Sequence, residues 1–103
     1  MTPAVFRNYV APEHQAENDR RYGEMNALVQ QSPGYLSHKL FTASDGENVV
    51  IVEFDDLESL EGWGENPDHK TAQEAGKSQV YTSYDVAVCE VVERHIKPAK
   101  EAR

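Results

Sequence analysis

Residues 48–54, Asn-Val-Val-Ile-Val-Glu-Phe, put apolar side chains on both faces of any extended segment they form. Side chains alternate across a strand, so Val49, Ile51 and Glu53 share one face and Val50, Val52 and Phe54 the other. A strand with two largely apolar faces has to be covered on both sides. Helices of the same chain can cover one. Two helices on right-handed crossovers all lie against one face of a four-stranded sheet, so the second face needs another partner. A second copy of the same sheet is the cheapest cover, and it implies a two-fold homodimer built through sheet faces. Left bare, such a face promotes aggregation.

The rest of the chain supplies that sheet and those helices. Residues 4–10 are short and rich in β-branched and aromatic side chains, and read as a strand that Pro12 ends. From about His14 to Gln31 the period changes. Tyr22, Met25 and Val29 recur at helical spacing with Leu28 beside them, and Glu13, Glu17 and Asp19 lead the segment, as suits the positive end of a helix dipole. Pro33-Gly34 stops that helix. Strands over 35–43 and 48–54 follow, joined through Ser44-Asp45-Gly46-Glu47, whose Asp-Gly step is a hairpin signal. Asp55 or Asp56 can cap the next helix, which carries Leu57, Leu60 and Trp63 on its apolar side. Asn66-Pro67 restarts a helix that runs to about Ser78. The last strand spans roughly 80–92. The order β-α-β-β-α-β is that of an α+β, ferredoxin-like domain with a four-stranded antiparallel sheet. One domain over 1–103 is expected, with its core at about 4–92 and a charged tail at 93–103.

Composition excludes several classes. The net charge is −8, and the stretch from Glu53 to Asp68 is acidic throughout. Such a surface repels phosphate backbones and anionic headgroups, so neither nucleic acid nor a membrane is an expected partner. No apolar run approaches the roughly 18 residues of a membrane span, and the N-terminus lacks the pattern of a secretory signal; a cytoplasmic location is expected. Cys89, the one cysteine, lies in an apolar alternating run and reads as a small buried side chain. With one cysteine and four scattered histidines, no metal site is expected.

Several segments carry a resemblance. Phe6-Arg7, Pro33-Gly34-Tyr35-Leu36-Ser37, Asp45-Gly46-Glu47, Val52-Glu53-Phe54, Trp63, Pro67-Asp68-His69, Ala72-Gln73, Gly76, Tyr81, Tyr84 and Cys89-Glu90-Val91 occur in the order and at the spacing of the antibiotic biosynthesis monooxygenase domain. The chain resembles that family over nearly its whole length, and departs from it at Asn66, where many relatives have a second histidine. The resemblance implies a dimeric α+β barrel. It further implies a cofactor-independent monooxygenase acting with O2 on a small phenol, quinol or anthrone-like aromatic. Relatives on the same fold bind and degrade haem, which makes haem the alternative cofactor. Their haem-ligating histidine falls about ten residues after the tryptophan, where this chain has Gln73. A binding dimer without chemistry is the third reading.

The residues that chemistry of this kind would use can be named. His69, Ala72, Gln73 and Gly76 share one helix face, and small residues beside two polar ones leave room for a ligand. His69 can be tuned to take a phenolic or enolic proton; the plain alternative is a histidine in the first turn that helps cap its helix. Trp63, Tyr22, Met25 and Phe54 are the candidate aromatic and apolar walls, although buried aromatics often serve the core alone. Asn8 is a candidate for orienting a substrate oxygen, or else an edge-strand polar residue. His38 is a further binding candidate; its plain reading is a strand histidine satisfied across the dimer interface. His14 and His95 read as surface residues. Expected catalytic residues are thus His69, Trp63 and Asn8, and expected substrate contacts are Tyr22, Met25, Phe54, Gln73 and His38.

Overall fold

The computed structural model describes residues 1–99. Its strands are β1 (Thr2–Val10), β2 (Tyr35–Thr42), β3 (Asn48–Phe54) and β4 (Tyr81–Val88). Helix α1 (Gln15–Val29) connects β1 to β2, and α2 (Leu57–Gly64) with α3 (Pro67–Ala75) connects β3 to β4. The sheet order is β2-β3-β1-β4 and every pairing is antiparallel, which is the expected α+β, ferredoxin-like arrangement.

Register decides which residues meet the helices. Ala4 pairs with Val52 and Phe6 with Val50 across β1 and β3, while His38 and Leu40 sit opposite Val52 and Val50 across β2 and β3. All of these, with Asn8 and Phe54, lie on the helix side. Its core is Ala4, Val29, Phe54, Leu60 and Trp63, with Met25, Leu28, Tyr35 and Val52 packed against it. Val5, Val49, Ile51 and Phe41 share the opposite face, which no helix of the described residues covers, so β3 is two-sided as its sequence requires. Phe41 is 46% exposed there.

Local chemistry fixes the element ends. Asp56 caps α2 by accepting from Ser59 N at 2.8 Å, and Asn66 caps α3 by accepting from Asp68 N and His69 N with Pro67 in the first turn. Gly34 turns the chain into β2 at φ +79°, and a Cβ there would lie 2.2 Å from Ser59 Oγ, so both the dihedral and the close approach of α2 require glycine.

Several boundaries differ from the sequence expectation. β1 starts two residues earlier, at Thr2. A 3-10 turn over Pro12–His14 takes the residue at which α1 was expected to begin, because its bonds close early, as in His14 N to Ala11 O at 2.9 Å, and α1 starts at Gln15. The helix expected to reach Ser78 gives way to a π turn at Gly76–Val80. β4 ends at Val88, not at 92: Cys89 N donates to Pro3 O at 2.8 Å, but Pro3 has no N–H to extend the ladder and β1 begins only one residue before it. Cys89 lies just past that end and is half-buried, not buried. Of the expected tail, residues 93–99 have no regular structure and 100–103 lie outside the described residues.

Candidate functional site

Trp63 and His69 form one unit. Trp63 ends α2 against the core and is 6% exposed; His69 lies in the first turn of α3. The two-residue Glu65-Asn66 connection and the Asn66 cap fold the second helix back, so the imidazole stacks on the indole at 4.0 Å between centroids and 14° between planes. His69 Nδ1 lies 3.0 Å from the Trp63 carbonyl oxygen. A carbonyl only accepts, so Nδ1 carries the proton, and Nε2 of the neutral ring is left as an acceptor. Burial holds the His69 pKa below its ordinary value of 6.5, with the Trp63 carbonyl bond opposing it. The ring is therefore neutral at pH 7 and offers a basic nitrogen.

Phe54, wholly buried, and Met25 belong to the core that Trp63 completes. Their side chains fill space; neither borders the two hollows described below. The room expected beside Gly76 is also filled. A Cβ on Gly76 would stand 2.5 Å from Tyr81 Cε2, so the tyrosine ring occupies the position that the small residue vacates. Gln73 is half-buried on α3.

His38 lies on the helix side of β2, because its register partner is Val52, and not on the open face where contact across a dimer interface was expected. Its Nδ1 is 2.6 Å from the Tyr35 hydroxyl, and Tyr22 of α1 stands edge-on to it at 6.3 Å. Burial raises the Tyr22 pKa and keeps that phenol protonated.

Asn8 is a central residue of the sheet, not an edge one: it sits between Asn48 of β3 and Tyr84 of β4 and is 4% exposed. Among the described residues its Oδ1 is buried without a hydrogen-bond partner. Turning the amide over would only exchange which polar atom is stranded there. An unpaired buried amide oxygen costs about 1–3 kcal/mol, and few such groups occur in folded proteins. Phe6, Tyr81 and Tyr84 form an aromatic group beside it, with ring centroids 5.3 to 6.4 Å apart. This group was missed as a site from sequence because all three read equally well as alternating strand residues.

Two open hollows lie elsewhere. One of about 590 Å³ runs between the end of α1 and α2, lined by Leu28, Pro33, Glu58, Gly62 and Glu65 among others. The other, about 320 Å³, is lined by Arg7, Asn8, Tyr9, Glu47, Ser83, Tyr84 and Asp85. Neither is the aromatic-lined pocket expected from sequence, because the aromatics pack on one another. Of the expected site residues, Asn8 alone lines either hollow. His14 and His95 lie near Glu17 and Glu93 at partly and largely exposed positions, as expected of surface histidines. Among the described residues no three His, Cys, Asp or Glu side chains gather closely enough to share a metal ion, and no helix is long and apolar enough to cross a membrane.

Comparison with known proteins places this geometry in context. The uncharacterized protein YqjZ of Bacillus subtilis strain 168 is 32% identical over 80 residues, covering 74% of this chain and 70% of that protein. A protein of Deinococcus radiodurans assigned to the antibiotic biosynthesis monooxygenases superposes with a TM-score of 0.84 at 17% identity, over 96% of this chain and 100% of its own. SnoaB, a cofactor-independent oxygenase of Streptomyces nogalater solved as a point mutant, superposes with a TM-score of 0.77 at 17% identity, over 90% of this chain and 94% of its own. At these identities the superpositions establish the fold alone. The family model "Antibiotic biosynthesis monooxygenase" matches residues 1–75, most of the sheet and all three helices, and the chain belongs to that family.

Proposed function

We propose that the protein is a cofactor-independent monooxygenase that oxidises a small electron-rich aromatic, of phenol, quinol or anthrone type, with O2. The observation that carries this reading is the Trp63–His69 unit: a neutral imidazole, held in one tautomer by a backbone carbonyl, that leaves Nε2 to take a proton. For an anthrone the balance is simple. Nε2 removes a proton from the methylene across the central ring from the carbonyl, the charge passes by conjugation to the carbonyl oxygen, and the resulting anion reduces O2 directly. One oxygen atom ends as the new carbonyl, and the other leaves as water with the two methylene hydrogens. The protein's part is to bind, orient and desolvate the anion. In this reading Asn8 Oδ1 accepts from a substrate hydroxyl, Tyr22, Gln73 and His38 shape the volume around it, and Met25 and Phe54 back that wall from the core. SnoaB, on the same fold, is a cofactor-independent oxygenase, which supports this reading.

Haem fits these residues poorly. Gln73 stands where the ligand histidine is expected, and the His69 ring lies flat against the buried Trp63 indole. The second reading, a binding dimer without turnover, is favoured by the tight packing around Phe54 and Trp63. Oxygen-electrode measurements on dithranol, a dihydroxyanthrone, separate the two. Catalysed O2 uptake with anthraquinone formation is expected, and saturable dithranol binding with no uptake above the buffer rate would leave only the binding module.

The bare face carrying Val5, Val49, Ile51 and Phe41 supports a homodimer formed through sheet faces. Ile51→Asp places a charge at the centre of that contact. Sedimentation is expected to show a dimer for the parent protein and a monomer for the variant; a monomeric parent would end the proposal.

A further inference from the structure

Tyr35 and His38 are three residues apart on β2, so in a regular strand their side chains would point to opposite faces. They do not, because the register slips between them: Tyr35 pairs with Phe54 and Ser37 already with Glu53, leaving Leu36 as an extra residue. This β-bulge turns Tyr35 to the side that His38 faces, and the phenol oxygen comes within 2.6 Å of His38 Nδ1. Bulges re-aim side chains, and they persist where the new aim matters. Here the aim is held by packing. The Tyr35 ring meets Phe54 edge-on at 6.2 Å and lies against the core, so the hydroxyl has little freedom. Among the described residues that hydroxyl has no other hydrogen-bond partner, and Nε2 of His38 has none.

We infer that Tyr35 is a positioning residue, which donates its hydroxyl proton to His38 Nδ1 and so fixes His38 as a donor through Nε2–H. The ligand such a donor selects is an oxyanion, the phenolate or enolate of an ionised aromatic. The inference deepens the oxygenase reading above and rests on it. The two histidines then have opposite tautomers set by opposite neighbours. A carbonyl makes His69 an acceptor, suited to removing a proton, and a phenol makes His38 a donor, suited to holding the charge that results.

Long-range nitrogen–proton correlation spectra of protein labelled with nitrogen-15 histidine report each tautomer directly, and His38→Gln assigns the resonances. The parent protein is expected to show His38 protonated at Nε2, and Tyr35→Phe to show a mixture. Para-nitrophenolate and its neutral counterpart para-nitroanisole then serve as probes. Tyr35→Phe is expected to weaken the phenolate about fivefold and leave the anisole unchanged, and His38→Gln, which keeps an N–H donor, to retain part of the phenolate preference. A parent His38 protonated at Nδ1 overturns the inference. So does a Tyr35→Phe protein with unchanged tautomer and unchanged preference. A locked tautomer and a phenolate preference without O2 uptake on dithranol would sink the oxygenase reading and leave the donor pair standing; O2 uptake with no lock would do the reverse.

Discussion

Phe54→Ala is expected to lower the unfolding free energy by about 3–5 kcal/mol. Phe54 has no exposed surface, ends β3 opposite both Thr2 and Tyr35, and packs beneath Leu60 and Trp63 of α2. Truncation removes the ring's transfer free energy and leaves a cavity that three hydrogen-bonded strands cannot close. A domain of this size holds about 5–15 kcal/mol in total, so the loss is a large fraction of what keeps it folded. Leu57→Ala is the control: the side chain is 49% exposed on the same connection, and the expected change is within about 0.5–1 kcal/mol. Urea unfolding followed by circular dichroism measures both. Similar midpoints for the two variants would mean that the space around Phe54 collapses or admits a substrate-sized void, and the core assignment would fail.

His69→Ala is expected to reduce O2 turnover on dithranol by about 10²–10⁴-fold, the usual contribution of a positioned base. His69→Gln should lose as much, since glutamine cannot accept a proton to form a stable cation, while keeping a polar side chain at the start of α3. Full activity in both would remove His69 from the chemistry. The histidine also predicts how the fold responds to acid. Its folded pKa lies below the ordinary 6.5, so between those two values the unfolded chain binds the proton and the folded one resists it. The unfolded state then holds more protons, and stability must fall as pH drops from about 6.5 toward the folded pKa. His69→Gln removes that increment, so its stability should decline less than the parent's over the same interval. The parent's acid limb of activity should likewise lie below pH 6.5.

Much of the fold is legible in local chemistry. The Asp56 and Asn66 caps, the Pro33-Gly34 stop and the Asp45-Gly46 hairpin each depend on a few neighbouring residues, and the structure uses all of them. The ends that shifted depend on partners. β4 stops at Val88 because of Pro3, more than eighty positions away in sequence, and nothing in the Cys89-Glu90-Val91-Val92 run signals it. The candidate site was legible as a set of residue types and much less as a place. His69 could be named from its helix face and from the family resemblance, yet the stack that fixes its tautomer depends on how two short helices fold against each other. The role of Gly76 was read as open room, although a ring from the next strand fills it.

Side-chain period and charge are properties of the chain, and they settled what the molecule had to be: a four-stranded sheet with helices on one side, an uncovered apolar face on the other, and an acidic surface. Tertiary structure decided which groups are paired and which are left wanting. Asn8 is an ordinary strand residue in sequence. It becomes a buried amide with an unpaired oxygen only when β3 and β4 close on either side of β1. Tyr35 and His38 have the wrong spacing to meet in any regular strand, and a single extra residue against β3 brings them together. Hydrogen-bond satisfaction and register are relations between distant segments, whereas propensity and pattern are written within one.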